Sequence, residues 1–263
     1  MSEIRVRLLG EFEVLRDGAV VPISAGQQRA VLATLALRAG RALDIAAITQ
    51  KLWDGEPPIG AQTTVRGYVR RLRLALDGGG ADSVIGTDAG GYRLKVASSD
   101  VDVHRFTGLL DRARAEHGKP NELACLEQAL GCWRGEVLEG VNCEALHRSV
   151  RPALEEQRLL AVQRRLDIRI EARDSLEIVI AELRGLVIEH PLRERFWGQL
   201  MVALHRAGRS AEALREFHTC REVLVDELGV DPGAELQELH RGILLGEMES
   251  PRTNRIRQPA RVG

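Results

Sequence analysis

The stretch from Gly60 to Leu76 admits one regular backbone. Wound as an α-helix, Val65, Val69, Leu72 and Leu76 fall at i, i+4, i+7 and i+11 and make a continuous apolar stripe. Thr63, Arg66, Arg70, Arg71 and Arg73 take the other side, and no acidic residue interrupts them. Gly67 lies in the middle of that basic face. A glycine inside a helix costs about 1 kcal/mol against alanine, which close approach to another surface would offset. A helix with an apolar spine, a basic outer face and a gap at its centre suits a DNA major groove. Taken without its flanks, the same helix also reads as an arginine-rich solvated surface.

The flanks supply a scaffold. Ile4 to Leu8 and Phe12 to Arg16 alternate with period two, and Asp17-Gly18 between such runs is a hairpin signal. Ser24 is expected to cap a helix from Ala25 to Arg38 that Gly40 ends. A second helix is expected from Asp44 to Trp53, with Ile45, Ile48 and Leu52 inward, before Pro57-Pro58 breaks it. After the basic helix and Asp77-Gly78-Gly79-Gly80 come two short strands, Val84-Ile85 and Tyr92 to Val96, joined through Asp88-Ala89-Gly90-Gly91. Strands, three helices and a glycine-turned hairpin are the order of a winged helix-turn-helix. In that arrangement two helices and a hairpin cradle the third so that its basic face projects.

From about Asp100 onward the periodicity is helical, over His104–His117, Glu122–Trp133 and Glu144–Ala172, with Pro152 either in the first turn of the last or kinking it. Trp197, Leu200, Leu204, Gly208, Ala213, Phe217 and Cys220 match the large and small positions of a 34-residue tetratricopeptide unit. Leu166, Ile170, Val179, Leu183, Leu186 and Pro191 occupy the corresponding places one period upstream, and a generic helical bundle is the plainer alternative. A last helix is expected over Ala234–Leu245 after Gly229-Val230-Asp231-Pro232. The tail from Pro251 carries Arg252, Arg255, Arg257 and Arg261 and reads as disordered.

Composition narrows the classes further. Of 263 residues 44% are hydrophobic, enough for two modest cores, and the net charge of −1 gives no global attraction to nucleic acid. The basic stripe is therefore a local feature. Cys125, Cys132, Cys143 and Cys220 show neither paired CxxC spacing nor nearby histidines, so they are expected reduced and buried. Trp53 and Trp133 are expected to plug cores. No signal peptide, membrane-length apolar run, phosphate-binding glycine loop or catalytic motif occurs. No enzyme activity, cofactor or metal is expected, and a cytoplasmic, nucleoid-associated place is.

Three stretches together resemble the Streptomyces antibiotic regulatory protein (SARP) family, over about residues 4 to 246. They are Leu52 to Pro58 leading into Thr63 to Arg73; Gly90 to Leu94; and His190 to Glu194 through Ala211 to Leu214, followed by Asp226 to Pro232. The resemblance implies a mainly α chain with small β elements. Its parts would be an N-terminal winged helix-turn-helix of the OmpR/PhoB type over 1–98, a C-terminal all-α tetratricopeptide-like activation domain over 99–249, and a basic tail over 250–263. It also implies binding to direct repeats in promoter DNA as a side-by-side dimer, recruitment of RNA polymerase with its sigma factor, and control of an antibiotic gene cluster. By motif matching Arg71 falls at a base-reading place, and Thr63, Thr64, Arg66, Tyr68, Arg70 and Arg73 at phosphate or groove-edge places. The sequence departs from the family in the wing turn, where Asp88 stands in place of a basic residue, so that either the wing contributes little or Arg93 supplies its contact. A protein-interaction scaffold, or a regulator sensing a small ligand in its repeat groove, are the competing readings.

Overall fold

The computed structural model describes residues 3–77 and 83–247, so the glycine turn at 78–80 and the basic tail lie outside the described residues. The chain divides into two compact units, Met1–Val162 and Gln163–Gly263.

The first unit begins with an antiparallel sheet of β1 (Ile4–Arg7), β2 (Glu13–Arg16) and β3 (Ala19–Val20), in the order β1-β2-β3. Ile4 and Val6 are buried and Arg5 between them is exposed, the alternation that a half-covered strand requires. Asp17 and Gly18 both take positive φ, 51° and 85°, as a two-residue hairpin turn with matching twist demands.

Helix α1 (Gly26–Ala36) starts without the expected serine cap. Ala25 occupies the capping position and makes no side-chain bond there. The chain is instead brought into the helix by Arg29, whose Nε donates to the Ile23 carbonyl at 2.6 Å. The helix ends at Ala36, short of Gly40. Gly40 has φ +76° and donates its N–H to the Leu94 carbonyl, which turns the chain into β4 (Leu43–Asp44), a strand the periodicity does not predict. Asp44 then caps α2 (Ile45–Leu52) through the N–H groups of Ala46 and Ala47.

Helix α3 (Ala61–Asp77) is the basic helix, with Ala61, Val65, Val69, Leu72 and Leu76 buried against α1 and α2. Strands β5 (Ile85–Asp88) and β6 (Gly91–Leu94) form the wing and pair with β4 in the order β4-β6-β5. A Cβ on Gly91 would stand 2.0 Å from the Leu43 carbonyl oxygen, so only glycine allows β4 to join.

The same unit continues through α4 (Asp102–Ala115), α5 (Asn121–Leu130) and the first part of α6 (Glu144–Ala172). Both oxygens of Asp102 accept from the N–H of Leu8 at 2.8 Å, and one also accepts from Leu9. Burial pushes the Asp102 carboxyl above its ordinary range, and those bonds oppose the shift. Isolated bridges Val6–Val101, Leu9–Val137 and Glu11–Glu139 knit the first sheet to this segment. Pro152 lies inside α6 and not in its first turn. Trp53 and Trp133 are half-buried and do not plug a core. Trp133 meets the Phe106 ring edge-on at 5.4 Å and carries the Arg158 guanidinium over its face. The four cysteines are free, and Cys132 differs from the others in being half-exposed.

The second unit holds the end of α6, then α7 (Leu176–Glu189), α8 (Glu194–Arg206), α9 (Ser210–Leu228) and α10 (Ala234–Leu245). The repeat positions Trp197, Leu200, Leu204, Ala213, Phe217 and Cys220 are all buried. Gly208, at φ +79°, makes the tight turn that folds α9 back on α8. Among the described residues no helix is long and apolar enough to cross a membrane, and no group of three or more His, Cys, Asp or Glu could hold a metal ion.

Candidate nucleic-acid interface

The site is built from the chain between α2 and β6. The loop from Trp53 to Gly60 leads into α3, with Asp54, Gly55 and Gly60 at positive φ. Asp54 takes two hydrogen bonds from Arg148 of α6, both at 2.5 Å. Cys143 Sγ donates to the Lys51 carbonyl, a second tie to the end of α2. At the far end of α3, Arg16 of β2 donates to the Leu76 carbonyl in the last turn of the helix. Helix α3 is thus held at both ends while its middle faces solvent.

Each residue expected at the site can be located. Thr63, Thr64, Arg66, Arg70 and Arg71 are exposed, and Tyr68 is half-exposed at the edge of the same face. The side chains of Arg66, Arg70 and Arg71 make no hydrogen bond or ion pair among the described residues. Other arginines of the chain are mostly committed, as in Arg7–Glu13, Arg165–Glu182 and Arg209–Glu212. Three guanidiniums left free in one row create a local positive field on a molecule of net charge −1. Gly67 sits between them, and nothing lies within 4 Å of the place a Cβ would take. The protein's own packing therefore does not require this glycine.

Arg73 and Arg93 stand differently. Arg73 Nε and Nη2 both donate to the Ile85 carbonyl, at 2.9 and 2.7 Å, and Nη2 also reaches Thr87 Oγ1 at 2.8 Å. Its guanidinium lies 5.6 Å from the centre of the Tyr92 ring. It bolts α3 to the wing. Arg93 pairs with Asp88 at 3.1 Å, and a second bond runs from Nη2 to Asp88 Oδ1 at 3.2 Å. The two charges cancel at the base of the turn, and its tip is Ala89-Gly90, without charge. The acid that the sequence sets in the wing turn is thereby neutralised.

One residue of this face escapes a reading by periodicity. Leu74 is 72% exposed, on the outward line that runs through Thr63, Gly67 and Arg70. An apolar residue in an amphipathic helix reads as core by default, so only its angular position on the wheel marks it out.

Comparison with known proteins places these features in a family. Residues 23–94 match the family described as transcriptional regulatory protein, C terminal, and residues 101–244 match the bacterial transcriptional activator domain. The regulatory protein DnrI of Streptomyces peucetius is 34% identical over 253 residues, covering 92% of each chain. The regulatory protein AfsR of Streptomyces coelicolor is 40% identical over 245 residues, covering 92% of this chain but only 24% of AfsR. A solved structure of Mycobacterium tuberculosis EmbR in complex with a low-affinity phosphopeptide superposes with a TM-score of 0.84 at 34% identity, covering 94% of this chain and 66% of that one. With matches over both halves and over nearly the whole of DnrI, the chain belongs to the SARP family of DNA-binding transcriptional activators.

Proposed function

We propose that this protein reads promoter DNA by laying α3 in the major groove, with Arg71 forked onto a guanine. Thr63, Thr64, Arg66, Tyr68 and Arg70 contact phosphates and groove edges. Arg73 and Arg93 serve the wing, one holding it to α3 and the other masking Asp88. The observation that carries this reading is the row of three unpartnered guanidiniums around Gly67, on a helix whose opposite face is fully buried. Arginine matches guanine O6 and N7 with two parallel bonds, while phosphate contacts set register without reading sequence. Residues 1–98 form the reading domain and 99–249 the activation domain. Two copies bind side by side, head to tail, on a direct repeat, and the helical half recruits RNA polymerase with its sigma factor. The genes controlled are those of an antibiotic or other secondary-metabolite cluster, and the protein works in the cytoplasm at the nucleoid.

The experiment is a salt titration of binding to the promoter duplexes of neighbouring genes, with a scrambled duplex as competitor. Tight binding to one duplex that survives the competitor and falls steeply with salt is the expected result. Arg71→Ala is expected to lose about 1–3 kcal/mol of that binding while the protein stays folded. Equal, weak binding to every duplex would reduce α3 to a nonspecific patch and favour the scaffold reading. Wild-type affinity in Arg71→Ala would remove Arg71 from the base-reading place.

A further inference from the structure

We infer that Leu74 is a specificity residue that reads a thymine by its methyl group. The inference rests on the DNA-binding reading of α3. Two observations meet here. Leu74 is 72% exposed while Leu72 and Leu76 beside it are fully buried, so it contributes nothing to the protein's own core. It also follows Arg70 and Arg71 by one helical turn, on the face where Gly67 leaves open space.

The geometry ties the two together. Gly67 lets the helix sink at its middle, because no side chain stands between its backbone and a facing surface. A straight helix that sinks at its middle carries its next turns down with it. Leu74 is seven residues beyond Gly67, which is about 10 Å along the axis, or about three base-pair steps where the helix follows the groove. From Arg71 it is three residues, or about one base-pair step. Its side chain therefore reaches the groove floor next to the pair that Arg71 reads. Every polar edge on that floor prefers a hydrogen-bonding partner, which leucine is not. The one apolar group that the floor offers is the C5-methyl of thymine. Cytosine at that place would instead leave a buried amino donor against leucine without an acceptor.

The test uses the full-length protein and its specific promoter duplex, with each thymine of the half-site replaced in turn by deoxyuridine. This removes one methyl group and no hydrogen bond. Wild-type protein is expected to lose about fourfold in affinity at a single position, within one or two pairs of the guanine protected by Arg71, the factor that burying one methyl group gives. Leu74→Ala is expected to bind thymine and deoxyuridine equally at that position. Leu74→Lys, which adds a cation on the same exposed site, is expected to keep general affinity but lose the distinction. Both variants replace a solvent-facing side chain and should melt as wild type does. If no deoxyuridine position weakens wild-type binding, or the same position weakens Leu74→Ala equally, the inference is overturned while specific binding stands. If the wild-type protein distinguishes no duplex at all, the DNA reading fails and takes this inference with it.

Discussion

Single residues in α3 divide into those that serve the fold and those that face outward with no partner. Gly67 separates the two roles most cleanly. The space above it is open, and the helix around it is continuous, so a methyl group fits without a clash. Gly67→Ala is therefore expected to stabilise the protein by up to about 1 kcal/mol, by removing backbone freedom from the unfolded chain and raising helix propensity. The same methyl would hold the helix off the groove. Specific DNA binding is expected to fall by about tenfold or more, since a displaced helix loses several contacts at once. Urea denaturation and a promoter-binding isotherm check the two halves. A variant both more stable and equally tight would show that the gap at Gly67 has no part in recognition. That pairing of opposite effects is the signature of a position kept for function at some cost in stability.

At the scale of elements, α3 is linked to the wing by two side chains, Asp77, which accepts from the Val84 N–H at 2.9 Å, and Arg73. Arg73 holds the Ile85 carbonyl with two donors and Thr87 with a third contact. Arg73→Ala is expected to destabilise the protein by about 1.5–3 kcal/mol, the range for losing hydrogen bonds to a charged group. It should leave the salt dependence of binding nearly unchanged, whereas Arg70→Ala should leave stability unchanged and reduce the salt slope by about 0.9. Were Arg73→Ala to reduce the slope as Arg70→Ala does, Arg73 would belong to the DNA. In the second unit a different link ties α7 to α9. Glu212 sits between Arg209 at 2.8 Å and Arg184 at 2.9 Å, and Arg209 also reaches Glu177. These guanidiniums, Arg209 foremost, hold the Glu212 carboxyl down to about 2 from an ordinary 4.5. A folded-state pKa below the unfolded one stabilises the fold above pH 4.5 and loses that contribution as pH falls toward 2. Glu212→Gln is expected to flatten the acid side of a stability-versus-pH curve in that window, and an unaltered curve would mean the cluster is spent on solvent-screened contacts.

For the molecule as a whole, what could be read from sequence was what local physics decides. The basic helix and the limits of α6 and α10 follow from periodicity, while Asp44, read from sequence as the first residue of α2, is its cap. Ser24 misled because the helix starts one residue later than periodicity places it, which leaves Ala25 in the capping position. Strand β4 was invisible because its two residues pair only where Gly91 leaves room for the Leu43 carbonyl. The same limit holds at the site. Arg66, Arg70 and Arg71 are legible as an outward row, but the commitment of Arg73 to Ile85 lies across the wing, and Leu74 hides behind the habit of assigning leucine to cores. The whole-chain charge then makes a last prediction possible. With a net charge of −1, the protein has no global attraction to DNA, and the free cations of α3 assigned to phosphate are Arg66 and Arg70. One copy should therefore neutralise about two phosphates, giving a slope of log affinity on log salt of about −2, and two copies on a direct repeat about −4. Inserting about five base pairs between the repeats would turn the second site to the opposite face of the duplex. Binding should then weaken sharply and its slope should fall back to the single-copy value, because two copies could no longer touch while both helices lie in the groove. A slope that stays near −4 after the insertion would mean that the copies bind independently, and the side-by-side arrangement would have to be abandoned.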